Sequence, residues 1–181
     1  MSTAPAFLAK TTADIAEFAK SARSKAAGRI ILVPVDFSEH SAAALVHAAK
    51  LAEMLPAALI VLHVVHDPGE MPGYYSKLIK KKRFERIQDV AAEAFSEFVS
   101  EVAESSPDQP LLKDAGQLMV IGLPVTRILE VVRELDPVMV VMGSQGRTGL
   151  EHLVIGSKAA QIIQLCPVPV TIVKSRESSG D

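Results

Sequence analysis

Met142-Gly143-Ser144-Gln145-Gly146-Arg147-Thr148-Gly149, with Gly156-Ser157-Lys158-Ala159 soon after, is the part of this 181-residue chain best equipped for chemistry. It follows the apolar run Val138 to Met142, so the glycines stand where a buried strand ends. Glycine allows positive φ and lets a ligand approach the backbone closely. Gly156-Ser157 opens a helix expected to run from about Ser157 to Leu165. A helix N-terminus offers unpaired N–H groups and partial positive charge, which suit a phosphate. Ser157 can add a hydroxyl, and Arg147 or Lys158 a positive charge. No G-x-x-x-x-G-K-[ST] is present, which excludes a Walker A loop. The G-x-x-G spacing after a late strand is not the dinucleotide fingerprint either. On local chemistry alone, the glycines fit a phosphate loop or a tight turn with a helix stop.

The other candidates are weaker. Asp36 stands at a strand end, where it can meet a ligand or cap the next helix. His63 and His66 are three residues apart on a strand, so they face opposite sides and predict no metal pair. His40, His47 and His152 read as surface or packing residues. Asp36, Asp67 and Glu70 form no evident catalytic carboxylate pair, so no catalytic residue is assigned. Lys77, Lys80, Lys81, Lys82, Arg83 and Arg86 are interleaved with Glu85, Asp89 and Glu93, the pattern of a solvated face. Tyr74 and Tyr75 are weak candidates for stacking on a base. Cys166 reads as a small buried hydrophobe.

These residues need a frame to position them. Ile30 to Val35, Leu59 to Val65, Gln117 to Ile121, Val138 to Met142 and Val168 to Val173 read as five strands. The first is apolar throughout, as in a parallel sheet covered on both faces. Helices fill the crossovers. Ser38 is a plausible cap for the first, which ends at Pro56. The second carries Phe84, Ile87, Ala91, Ala94, Phe98 and Val102 at helical spacing, and Pro124 suits the first turn of the third. The pattern predicts one α/β domain over residues 29–175, a doubly wound, Rossmann-like, five-stranded parallel sheet with helices on both faces. Ligands in such sheets sit beyond the carboxyl ends of the strands, near the point where strand order reverses. Residues 1–28 form an extension in which Ala13 to Ala26 predicts a helix with Ile15, Phe18, Ala19 and Ala22 on one face. Residues 176–181 are a polar tail.

Composition sets outer bounds. Hydrophobic residues make up 49% of the chain, enough for a sizeable core. A net charge of −2 argues against nucleic acid or an acidic membrane as partner. No apolar run approaches the roughly 20 residues of a membrane span. The single cysteine excludes an internal disulfide and fits a reducing, cytoplasmic setting.

The full spacing Gly143-x2-Gly146-x9-Gly156-Ser157 resembles the nucleotide motif of ATP-binding universal stress proteins. Val33-Pro34-Val35-Asp36-Phe37-Ser38, Leu62-His63-Val64, Val120-Ile121-Gly122 with Pro124, and Cys166-Pro167-Val168-Pro169-Val170 resemble other segments of that family, in order from Arg29 to Lys174. The resemblance implies an adenine nucleotide, ATP or ADP or AMP, with Mg or Mn accompanying it. It implies that Asp36 and Val64 flank the adenine, beside Val35, and that Pro34 and Gly143 lie near the ribose. Gly146, Gly156, Ser157, Lys158 and Ala159 are then expected around the phosphates, with Met142 and Arg147 also among the nucleotide-binding residues. It further implies a homodimer through the last strand, Val168 to Val173, and a nucleotide-dependent regulator of the stress response read by an unidentified protein partner. Such a regulator hydrolyses ATP slowly at most.

Overall fold

Ile30–Val35 is buried at all six positions, which only the middle of a two-sided sheet provides. A computed structural model of the chain describes residues 6–25, 28–66, 76–146 and 155–175, with side chains from residue 87 onward in the helix that begins at Ser76. Six strands run parallel: β1 (Phe7–Ala9), β2 (Ile30–Val35), β3 (Ala58–Val65), β4 (Gly116–Ile121), β5 (Met139–Gly143) and β6 (Val170–Val173). Their order is β1-β4-β3-β2-β5-β6. The order reverses between β2 and β5, the switch point of a doubly wound sheet.

Side chains alternate across the sheet. Ile31, Val33 and Val35 of β2 face one cluster, with α2 (Glu39–Met54) and α3 (Ser76–Ser105). Ile30 and Leu32 face the other, with α1 (Thr12–Lys25), α4 (Pro124–Leu135) and α5 (Ser157–Leu165). Pro124 opens α4, where a missing N–H costs nothing, and Asp136 ends it in a left-handed conformation. In α3 the fully buried positions are Phe95 and Val99, with Phe98 only partly buried beside them. Of the apolar face expected from the spacing, Ile87, Ala91 and Phe98 pack against this cluster and Val102 is buried in it.

The sheet has six strands, one more than the sequence pattern predicts. The sixth is Phe7–Ala9, which adds in parallel to the outer edge of β4 with Leu8 opposite Met119. Three residues are too short for a periodic signal. The helix after it buries Ile15, Ala19 and Ala22 against Leu118, Val120, Val131 and Leu135. Residues before and within this helix cap it reciprocally. The Asp14 carboxylate accepts the N–H groups of Thr11 and Lys10 at 2.8 Å, and the Thr11 hydroxyl accepts the Asp14 N–H at 3.2 Å.

Two predictions follow from this extension. Ile15→Ala should destabilise the whole domain by about 2–5 kcal/mol, since the side chain is fully buried. Urea unfolding would measure it, and a loss under about 0.5 kcal/mol would mean that α1 stands outside the cooperative core. The Thr11 and Lys10 amides hold the Asp14 carboxyl below the usual carboxylate range. A lowered native pKa stabilises above the unfolded value and loses that effect as pH falls through the native one. Amide exchange in α1 should therefore stay slow at mildly acidic pH and quicken only below the ordinary carboxylate range. Quickening already near neutrality would contradict the cap.

Candidate functional site

β2 and β5 pair over Ile31↔Met139 and Leu32↔Val140, with the Val138 N–H donating to Ile30 O at 2.8 Å just before them. Two residues further along β2 stands Pro34, which has no N–H to give a neighbouring strand. Beyond this short ladder, at the carboxyl ends of β2, β3 and β5, lies a cavity of about 640 Å³. Pro34, Val35 and Asp36 bring it one wall, Val64 a second, and Met142, Gly143 and Gly146 a third. Gly156, Ser157, Lys158 and Ala159 close it from the start of α5. Eleven of the twelve residues expected from the sequence thus share one cavity. The twelfth, Arg147, lies outside the described residues, as do Asp67, Glu70, Tyr74, Tyr75 and His152. The side chains of the basic run from Lys77 to Arg86 also lie outside them.

Three glycines shape the cavity, each for a different reason. At Gly143 a Cβ would stand 2.8 Å from the His40 carbonyl carbon and 2.9 Å from its oxygen. Backbone meets backbone there, so no side chain fits. At Gly146 a Cβ would stand 2.5 Å from Asp36 Oδ2, so the loop runs directly over that carboxylate. Gly156 is the N-cap of α5 and makes no side-chain cap bond. The first turn of α5 therefore turns N–H groups without a side-chain cap toward the cavity, beside the hydroxyl of Ser157 and the exposed side chain of Lys158.

Asp36 serves two structures at once. Its Oδ1 accepts the Ser38 hydroxyl at 2.6 Å and the Ser38 N–H at 3.3 Å. Ser38 in turn caps α2 by accepting the Ser41 N–H at 3.2 Å. Asp36 thus supports the cap from two residues upstream while it lines the cavity. His63 lies beside this turn, its Nδ1 3.0 Å from the Val35 carbonyl oxygen and its ring stacked on Phe37 at 4.2 Å. His66 is exposed, and among the described residues no three metal-ligating side chains converge.

Sequence reasoning read His40 as a surface or packing residue and gave Ser144 no role of its own. His40 accepts the Ser175 N–H on Nδ1 at 3.0 Å and lies 3.4 Å from the Ser144 hydroxyl. Ser144 is buried and joins the loop together: its N–H donates to Val173 O at 2.8 Å, and its carbonyl accepts the Gly156 N–H at 2.7 Å. The partners of His40 lie more than a hundred residues away in the chain, so no local pattern carried them. Pro124 and Ile128 of α4 also line the cavity.

The universal stress protein family model matches residues 28–174. Universal stress protein MJ0577 of Methanocaldococcus jannaschii is 26% identical over 163 residues, covering 82% of this chain and 96% of that protein. Universal stress protein A homolog 1 of Coxiella burnetii is 30% identical over 148 residues, covering 81% and 96%. Among solved structures, universal stress protein UspA from Lactobacillus plantarum has the same fold at a TM-score of 0.67 and 21% identity, covering 80% of this chain and 97% of that one.

The two loop glycines should respond differently to alanine. Gly143→Ala meets backbone and should cost about 1–3 kcal/mol. Gly146→Ala meets a side-chain oxygen of Asp36 rather than backbone and should cost less. Urea denaturation of both variants measures this order, and the reverse order would refute the contact geometry.

Proposed function

This chain belongs to the universal stress protein family, and on that premise we propose that it binds ATP, or ADP or AMP, in the cavity between β2 and β5. Its proposed role is that of a cytoplasmic, nucleotide-dependent regulator in the stress response, with slow hydrolysis at most. The observation that carries this reading is the meeting of Gly143, Gly146 and the side-chain-free cap of α5 on one cavity beside Asp36. A loop without side chains that faces a helix N-terminus favours a phosphate. The lining also includes Pro34, Val64 and Ile128, apolar side chains that suit the face of a base. Lys158 adds a positive charge on the phosphate side.

A divalent ion fits this site only in company with the nucleotide. Asp36 is the one carboxylate among the described lining residues, and it already accepts two bonds from Ser38. The phosphates themselves would supply most of the ligands for Mg or Mn, with the Ser157 hydroxyl within the same wall. The metal would neutralise phosphate charge there.

The outer edge of β6 is the proposed contact with a second copy. β6 bonds β5 on one side and ends the sheet on the other. Its residues are only partly buried, and Ile163 and Leu165 of the neighbouring α5 are exposed. An apolar edge of this kind invites pairing with another strand.

Titration calorimetry and thermal melts with ATP and Mg test the site. ATP at about a hundred times its Kd should stabilise the native state by about 2.7 kcal/mol. Gly156→Val should fold, because a Cβ there meets nothing closer than Ser144 O at 3.4 Å, yet it should lose ATP binding. A wild-type melt unmoved by millimolar ATP with Mg would sink the nucleotide reading, and full affinity in the valine variant would sink the placement. Sedimentation as a monomer at micromolar concentration would remove the dimer.

A further inference from the structure

The family model begins at residue 28, so β1 and α1 lie outside the part of the chain that it matches. They are nonetheless tied to the cavity wall. We propose that α1 forms a clamp on α4, with Glu130 as its joint, and that the clamp sets the Pro124 and Ile128 wall of the nucleotide cavity. The clamp reads from contacts alone, and its effect on ligand rests on the nucleotide reading above.

α1 lies along α4 in the same direction and holds it at two places. Near the start of α1, the Thr12 hydroxyl donates to Glu130 Oε1 at 2.7 Å. Near its end, Arg23 Nη2 donates to Leu135 O at 3.0 Å, one of the carbonyls that the end of α4 leaves unpaired. Between them Ile15, Ala19 and Ala22 are buried in the cluster that holds Ile128, Val131 and Leu135.

Glu130 passes this hold toward the cavity. Its second oxygen, Oε2, accepts from Arg127 Nη1. The Arg127 stem lies over the turn between β4 and α4, where a Cβ on Gly122 would stand 2.9 Å from Arg127 Cγ. Gly122 has φ +140°, a conformation that admits glycine, and its N–H is tied to Val65 O at 3.0 Å. Among the described residues the buried Arg127 Nε has no hydrogen-bond partner, and Glu130 holds the guanidinium. Two residues after Gly122 comes Pro124, and one turn later Ile128, both on the cavity. Contacts run from Thr12 through Glu130 and Arg127 to the Gly122 turn, and the chain itself leads from there to Pro124 on the cavity.

Amide hydrogen exchange and ATP calorimetry on the full chain test this. The double variant Thr12→Val with Arg23→Ala removes both polar holds and keeps the buried face of α1. Exchange in residues 127–132 should quicken while the β2 and β3 amides stay as slow as in wild type. ATP affinity should fall roughly threefold or more. Thr12→Ser alone keeps the hydroxyl and should match wild type in both readouts. By linkage, ATP should slow exchange within α1 of the wild type, an effect a purely structural brace would not produce. Unchanged exchange in residues 127–132 overturns the clamp. Quickened exchange with unchanged ATP affinity overturns its control of the cavity. A wild type that binds no ATP overturns the nucleotide reading and this control with it, while exchange alone still decides the clamp.

Discussion

At Gly143 the backbone of β5 touches the backbone of α2 at His40, with no room for a Cβ between them. The site depends on this approach. It brings the last residue of β5 up against the first turn of the helix that leaves β2, so the two sides of the switch point are joined above the sheet. Ser144, next in the chain, can then bond both Val173 and Gly156 through its backbone. Those bonds fix where α5 begins and therefore where its free N–H groups lie. Any side chain at Gly143 would push β5 away from α2 and carry the rim of the cavity with it. A buried Ser144, bonded on both sides, gives that rim little freedom to adjust.

Much of this frame was legible because it obeys local rules. The apolar run Ile30–Val35 can be satisfied only between two layers of helices. Pro124 at the first turn of α4 and Gly156 before α5 mark helix starts at the residues where the helices begin. The glycine spacing collects at one cavity because strand order, set by chirality and crossover length, puts β2 beside β5. What escaped was non-local. β1 has three residues and no period of its own; it is a strand only because β4 offers an open edge. His40 carries no motif, and its importance comes from Gly143 and Ser175, which are distant in sequence. In α3 both Phe95 and Phe98 fit a helical face, and only the depth of the sheet beneath decides that Phe95 is the buried one.

The extension shows how a short segment can be absorbed into a sheet that does not need it for closure. An open edge on β4 would present unpaired backbone groups, and β1 satisfies a few of them. Three residues of pairing are a weak anchor by themselves. The stronger hold is α1, whose buried face is continuous with that of α4 and whose Arg23 reaches the end of the same helix. The extension therefore fastens to α4 as well as to the sheet. That matters because α4 carries Pro124 and Ile128 on the cavity as well as the residues that α1 packs against.

Phe37 gives the remaining clue to how the site is aimed. It has φ +66°, a left-handed conformation that a bulky residue adopts only at a cost of about 1–3 kcal/mol. The cost is met locally. The Phe37 ring stacks on His63 at 4.2 Å and lies 5.3 Å from Phe98, and His63 is itself held toward Val35 O. On either side of Phe37 stand Asp36, which lines the cavity, and Ser38, which caps α2. A relaxed extended residue at position 37 would carry the chain straight on from β2 and separate these two. The left-handed turn brings Ser38 back within 2.6 Å of the Asp36 carboxylate. That bond fixes one oxygen of Asp36 and leaves the other facing Gly146 across the loop. The left-handed turn at one residue thereby lets the same carboxylate line the cavity and support the cap of α2.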